Sequence, residues 1–310
     1  MDKVSVLMST YKEPIEWIKL SIESILFQTY TNIEFVIIVD APDNKELINL
    51  LHEYEKEYDC IKLIINEKNI GLVASLNKGL EYCTGKYIAR MDADDISDKK
   101  RLEKQIELMK KEKYDMVGCA YHVFYDDKIL RTAKSVFTDE YCKKVLYYES
   151  CVCHPSWIAT KTVYDKLNGY RDIDACEDLD FLQRVAYNGF KIGNSREVLL
   201  KYRDNPNSIS HNKVTRQRAI TTCICEAYRK GRIVSESEYN DFLSSERYKK
   251  ICDKEQYIIQ QEETYKSMNS TKSDKYKALC SLLMQPRYLE SKFVRKRINN
   301  WKKQELNKNK

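Results

Sequence analysis

The sequence predicts an α/β protein in which residues 1–212 form a mostly parallel central sheet flanked by helices and residues 213–310 form an α-helical appendage. Three observations carry that prediction. Short apolar runs at 4–9, 34–39, 60–66 and 86–91 alternate with helix-length stretches, the rhythm of a doubly wound sheet whose right-handed crossovers bring the strand ends to one edge. The runs are apolar throughout, as strands covered on both faces must be. From residue 213 the chain becomes charged and tyrosine-rich, with almost no glycine or proline before Pro286, a composition that favours helices.

Taken in order, the run VSVLMS leads through Thr10, Tyr11, Lys12 and Glu13 to Pro14, which starts a helix reaching Phe27 at a position where proline is tolerated. EFVIIV ends in Asp40, and Pro42 interrupts the chain before a helix over 44–58. CIKLIIN is the third strand. Asn69 and Gly71 leave an irregular segment, a helix over 73–82 passes Asn77, and Gly85 stops it. KYIARM is the fourth strand, and Asp92, Asp94 and Asp95 follow it directly. Ligands of such sheets bind beyond the carboxyl ends of the strands, so Tyr11, Asp40, Asn69 and Asp92 are expected to converge there. The aspartates have two readings that spacing alone does not separate. They hold a hard divalent cation that bridges to phosphates, or they form an exposed acidic turn capping a helix that begins near Ser97.

Beyond this point the simple alternation ends. A helix is expected over 99–112, a strand over 116–121, and a hairpin over 123–130 with Asp126 and Asp127 at its tip. A short apolar run at 156–159 precedes a helix closed by Gly169. The acidic cluster Asp172, Asp174, Glu177, Asp178, Asp180 opens a helix over 178–188, where carboxylates also stabilise the helix dipole. A strand over 198–202 and the loop DNPNSIS complete the sheet domain.

At 310 residues and 43% hydrophobic content, the chain holds one large core or two modest ones. It lacks an 18-residue apolar run and the basic, then apolar, start of a signal peptide, so a cytoplasmic location is expected. Eleven cysteines without a CxxC pair point to reduced thiols. Cys151, Cys153 and His154 are crowded enough for a metal, but only Cys223 and Cys225 supply a second pair, which favours packing over structural zinc. The net charge is +6, and nine basic against two acidic residues give 286–310 a charge of +7 and the remainder −1. In this tail Leu289, Phe293 and Trp301 recur at spacings of four and eight with cations between them. Such a helix either lies in the interface of an anionic membrane or packs its stripe on the body.

Over residues 3–211 the chain resembles the family 2 glycosyltransferases, inverting enzymes with the Rossmann-like nucleotide-sugar-binding fold called GT-A. Four segments match in order: VSVLMSTYKEP, EFVIIVDAPD, the block from NIGLVASLNKG to YIARMDADD, and HPSWIATK through GYRDIDACEDLDF to VLLKYRDNPNSIS. The resemblance implies a hexosyl- or N-acetylhexosaminyltransferase. It would use a UDP-sugar donor and a divalent Mn2+ or Mg2+, and would act on a glycan or lipid-linked acceptor in capsule, lipopolysaccharide or other surface-polysaccharide synthesis, peripheral to the inner membrane face. Thr10, Tyr11 and Glu13 match the loop along the nucleotide, and Asp40 matches the aspartate that contacts uracil. Asn69, Gly71 and Asn77 fall on the donor side. Asp92 and Asp94 match the DxD motif on ribose and metal, and Asp178 matches the general base. Glu177 and His154 lie toward the acceptor.

The chain departs from the family pattern in two places. Asp40, Ala41, Pro42, Asp43 replace the usual DDGS, and Asn205 stands where a metal-ligating histidine is common, leaving His211 or water to complete the coordination. The chemistry fits independently: inversion needs a carboxylate to take the acceptor's proton and stabilisation of the leaving diphosphate. A nucleotidyltransferase also handles nucleoside phosphates on an α/β sheet, but VSVLMSTYKEP has no glycine for a phosphate loop. A nucleic-acid-binding role for the basic tail finds no recognised motif, so no nucleic acid is expected as partner.

Overall fold

The computed structural model describes residues 1–134, 136–206, 213–267 and 269–307. The first half alternates β1 (Val4–Thr10), α1 (Ile15–Leu26), β2 (Ile33–Val39), α2 (Lys45–Glu57), β3 (Ile61–Ile65), α3 (Leu72–Tyr82) and β4 (Tyr87–Asp92). The four strands pair in parallel in the order β3-β2-β1-β4. Val4, Val6 and Met8 of β1 point to one core with Ile18, Ile22 and Leu47, whereas Leu7 points to the other with Val36, Ile38 and Ile88. Both faces are covered, which is why these strands read as unbroken apolar runs.

The second half contains β5 (Ile96–Ser97), α4 (Arg101–Glu112), β6 (Met116–Tyr125), β7 (Lys128–Ala133), α5 (Asp139–Val145), β8 (Ile158–Thr160), α6 (Lys161–Leu167), α7 (Glu177–Tyr187) and β9 (Ile192–Arg203). The sheet continues from β4 as β8-β6-β9-β5, and β7 forms the expected hairpin on β6. Here it is mixed rather than mostly parallel. β8 runs antiparallel to both β4 and β6, and β5 runs antiparallel to β9, while β6 and β9 are parallel. Residues 154–156 make a single turn of 3-10 helix that feeds β8 into the sheet. This three-residue strand is too short to reveal its direction in sequence. Trp157 just before it is fully buried, donates from Nε1 to Tyr164 OH at 3.0 Å, and stacks on Tyr170 and Phe181.

The appendage is α8 (Val214–Arg229), α9 (Glu236–Ser244), α10 (Glu246–Lys266), α11 (Lys272–Leu283) and α12 (Pro286–Asn307). α9 and α11 begin with capping boxes at Ser235 and Thr271, which satisfy the free N–H groups of a first turn. Ile220, Ile224 and Cys225 of α8 and Ile298 of α12 join the core that α7 lines. α12 packs on the sheet domain: Trp301 lies 6.4 Å from the rings of Tyr141 and Tyr148, and buried Glu305 accepts from Phe137 N and Thr138 N, each at 2.8 Å.

The expected stripe is thereby corrected. Val294, Ile298 and Trp301 face the body, while Leu289 and Phe293 remain 46% and 66% exposed. Twelve residues are three and one third helical turns, so Leu289 and Trp301 stand about 120° apart. Among the described residues no helix is long and apolar enough to cross a membrane. The eleven cysteines are free thiols.

Candidate active site at the strand ends

β1, β2 and β4 end level with one another: Thr10 pairs with Val39 and Ser9 with Asp92. The loop after β1 is folded by its own acid, since Thr10 Oγ1 and Tyr11 N donate to Glu13 Oε2 at 2.8 and 2.7 Å. Tyr11 is left exposed above it. After β2, buried Asp40 grips the loop that leads to α3. Its Oδ1 accepts from Asn66 Nδ2 and Ile70 N, and its Oδ2 from Gly71 N, all at 2.8 Å. Gly71 turns there with φ 84°, a conformation glycine adopts without strain. Asn69 is exposed on the same loop.

Asn77, expected on the donor side, uses its amide within the fold. Its Nδ2 donates to Tyr170 O at 2.9 Å and its Oδ1 accepts from Tyr170 N at 2.8 Å. Both ends of the amide are used to fasten the segment before α7 onto α3.

The three aspartates after β4 bring their carboxylate oxygens within 4.8 Å of one another. They do not cap α4, because β5 intervenes and the N–H of Lys100 bonds to Asp98 Oδ1 at 2.9 Å instead. Each is held separately. Asp92 Oδ1 accepts from buried Arg90. Asp94 Oδ2 accepts from Asn205 Nδ2 at 3.1 Å. Asp95 Oδ1 accepts from Arg203 N at 2.8 Å, while its Oδ2 is buried without a hydrogen-bond donor. Burial, then the neighbouring Asp92, pushes Asp94 up to about 6. Burial, then Asp94, raises Asp95 well above the carboxylate range. An all-oxygen donor set, in which Asp94 and Asp95 resist ionisation and one buried oxygen is unpartnered, fits a hard divalent cation. His211 lies outside the described residues, and Asn205 already bonds to Asp94.

Across from this turn, α7 presents Glu177 and Asp178 in its first turn. Asp178 Oδ2 accepts from Ser150 Oγ at 3.0 Å and its Oδ1 from Leu179 N at 2.7 Å. Burial raises its pKa, and these donors oppose the rise. Glu177 lies 4.0 Å from His154 Nδ1, and burial, then Asp178, pushes it up to about 8. His154 bonds through Nε2 to Tyr170 OH at 3.2 Å, and burial, then the charge of Arg90, holds its pKa well below the usual value. The imidazole is therefore neutral and makes no ion pair with Glu177. Arg90 bonds Asp92, and its charge favours the ionised form of Glu177.

Sequence reasoning had not singled out Arg90, Ser150 or Arg203. Arg90 left a signal, an arginine inside an otherwise apolar strand; such a residue is buried only when paired. Arg203, sandwiched between the rings of Trp17 and Phe124 at 4.5 and 4.4 Å, and Ser150 left none.

Comparison with known proteins agrees with this geometry. The family described as glycosyl transferase family 2 matches residues 5–167. An uncharacterised glycosyltransferase of Methanocaldococcus jannaschii is 38% identical over 208 residues, covering 66% of this chain and 72% of that protein. The O-antigen biosynthesis glycosyltransferase WbnJ of Escherichia coli is 30% identical, covering 79% of this chain and 94% of its own length. Among solved structures, S. aureus TarS 1-349 in complex with UDP-GlcNAc superposes with a TM-score of 0.63 at 16% identity, over 89% of this chain and 79% of that one. The mannosyltransferase PcManGT from Pyrobaculum calidifontis, in complex with GDP-Man and Mn2+, gives 0.59 at 14%, over 98% and 86%.

Proposed function

The chain belongs to glycosyl transferase family 2, and on that premise we propose that it transfers a sugar with inversion from a UDP-sugar to a glycan or lipid-linked acceptor in surface-polysaccharide synthesis. The observation that carries this reading is the cluster of three aspartates at the carboxyl end of β4 together with the Glu177 and Asp178 pair that opens α7, near enough for the charges of Arg90 and Asp92 to act on Glu177. The acceptor class follows relatives such as the amylovoran transferase AmsE of Erwinia amylovora and the putative teichuronic acid transferase TuaG of Bacillus subtilis. UDP is preferred as carrier because TarS binds UDP-GlcNAc.

In this reading the nucleotide lies along the loop that Glu13 folds and against the loop that Asp40 holds, so Thr10, Tyr11, Asn69 and Gly71 shape the donor side. Asp40 reaches the uracil edge through the lone pair its three donors leave free. Asp92 and Asp94 hold Mn2+ or Mg2+, which when bound neutralises charge on the diphosphate. Asp178 removes the acceptor hydroxyl's proton as that oxygen bonds to the sugar's anomeric carbon, and the carbon–oxygen bond to the diphosphate breaks on the opposite face. Glu177 and neutral His154 border the acceptor. Asp94 and Asp178 differ in what they must do: one has to be ionised toward a cation, the other toward a hydroxyl.

The test is thermal unfolding with a panel of UDP- and GDP-sugars, with Mn2+ and with chelator. A ligand that binds only the native state raises its stability, so a UDP-sugar should raise the melting temperature only when metal is present. A response to GDP-sugars alone would replace the donor. No response to any nucleotide sugar would remove the proposal.

A further inference from the structure

The segment that joins α5 to the 3-10 turn carries Ser150, whose hydroxyl donates to Asp178 Oδ2 at 3.0 Å. Residues 146–150 belong to no helix or strand, so other elements must fix their place. Two sets of contacts do so. α7 and α8 bond the backbone: Gln183 Nε2 donates to Leu146 O at 2.9 Å, and Arg229 Nη1 to Tyr147 O at 2.8 Å. α12 takes the side chain of Tyr148. Arg297 Nη1 donates to its hydroxyl at 3.1 Å, and its ring lies 6.4 Å from that of Trp301.

α12 is itself anchored. Val294, Ile298, Trp301 and Glu305 recur at spacings of four, three and four, which aligns them along one side of a helix. The first three pack in the core that α7 lines. Glu305 accepts from Phe137 N and Thr138 N where α5 starts, and Gln304 Oε1 accepts from Tyr141 OH at 3.1 Å. The helix thus holds both the start of α5 and the segment that follows it. The donor-side groups are fixed by other residues: Asp40 by Asn66, Ile70 and Gly71, and the aspartate turn by Arg90, Asn205 and Arg203.

Given Asp178 as the base, we propose that α12 is a strap for the transfer step: by holding Tyr148 it keeps the Ser150 hydroxyl on Asp178. Trp301 and Arg297 are then positioning residues for a reaction whose groups they do not touch. A base must meet the acceptor hydroxyl within hydrogen-bond reach, and a displacement of about 1 Å caused far from the chemistry can slow a reaction by about 10²-fold. Loosening α12 therefore slows transfer and spares the donor's site.

The experiment is a double-mutant cycle on the full chain, read by transfer rate, by calorimetry of the donor, and by hydrogen exchange of the backbone N–H groups of 146–151. Trp301→Leu combined with Arg297→Gln should lower kcat by about tenfold, speed exchange in that segment and leave donor affinity within about twofold. Ser150→Ala should lower kcat at least as much, and Ser150→Thr, which keeps the hydroxyl, should recover most of it. Both changes act through one hydrogen bond, so in the Ser150→Ala background the α12 change should cost less than about twofold. If far-UV circular dichroism shows that the paired change unfolds the chain, Tyr148→Phe, which removes only the Arg297 bond, should give the same split at a smaller size. The proposal is overturned if the two losses multiply, if donor affinity falls in step with kcat, or if exchange rises while transfer is unchanged. Failure of Asp178 as the base looks different: Asp178→Asn would then keep the parent's rate and remove the strap's purpose as well. A strap that fails alone leaves Asp178→Asn slow and the α12 variant at the parent's rate.

Discussion

Each of the two acidic groups at the site holds carboxylates that burial makes resist ionisation, Asp94 and Asp95 in one and Glu177 and Asp178 in the other, yet the groups are held in different ways. After β4, three carboxylates crowd together and their donors are few: Arg90 for Asp92, Asn205 for Asp94, one N–H for Asp95. At the start of α7, Asp178 accepts from Ser150 and a helix N–H, while Glu177 lies 4.0 Å from His154 and feels the charge of Asp178. Crowding of like charge with few donors favours a cation. Hydroxyl and N–H donors at a helix N-terminus orient Asp178 and oppose the rise that burial imposes on it, which suits a base. The contrast teaches that the same raised pKa has different uses according to what else the group touches.

That contrast breaks first at Asp94. Asp94→Ala should lower transfer by about 10³-fold or more, a loss typical of removed electrostatic stabilisation, and should weaken metal-dependent donor binding by the same agency. Transfer and calorimetry with Mn2+ measure both, and full turnover in excess chelator would reduce the aspartate turn to a structural element. Asp178→Asn keeps the Ser150 hydroxyl within reach of a side-chain oxygen but removes basicity. Transfer should fall by about 10² to 10⁴-fold while donor affinity holds. If affinity falls in step with rate, Asp178 belongs to the donor pocket and the division between the two groups is lost.

Asn77→Ala addresses how α7 is placed at all. The change leaves the backbone N–H and C=O of Tyr170 without their partners, and the cost of two such groups is about 2 kcal/mol or more. Urea unfolding reads the loss directly. An unchanged midpoint would show that α7 is positioned by the Trp157, Tyr170 and Phe181 stack alone.

How much of this was legible in the sequence follows from range. The first four strands were readable because both of their faces are covered, so Val6 and Leu7 are equally apolar although they enter different cores. The aspartate turn was readable because it follows β4 directly. The direction of β8 was not, since three residues fully enclosed by β4 and β6 carry no alternation. α5 went unassigned for a similar reason, being seven residues long. Asn77 was matched to the donor side by its motif, whereas its partner Tyr170 is distant in sequence and interacts through backbone atoms that no side-chain pattern encodes. On α12 the misreading was one of angle: a stripe chosen over twelve residues drifts round the helix, and the body took Val294 and Ile298 instead of Leu289 and Phe293.

The effect that sharpens the comparison most is the pH dependence of stability. Glu177 is pushed up to about 8 in the folded chain, whereas an unfolded glutamate titrates near 4.3. Between those values the folded state keeps a proton that the unfolded state releases, so stability falls as pH rises. The fall runs from about pH 5 to 8 at no more than about 1.4 kcal/mol per pH unit. Asp94, pushed up to about 6, adds a fall of the same sign that ends near pH 6. Glu177→Gln replaces the acid with a neutral group of the same shape and removes the first contribution only. The variant should match the parent at pH 5 and exceed it in stability at pH 8. Urea unfolding of both proteins at the two pH values decides it. Parallel curves would mean that Glu177 is ionised like a solvated glutamate, and that the α7 pair differs from the aspartate turn only in position.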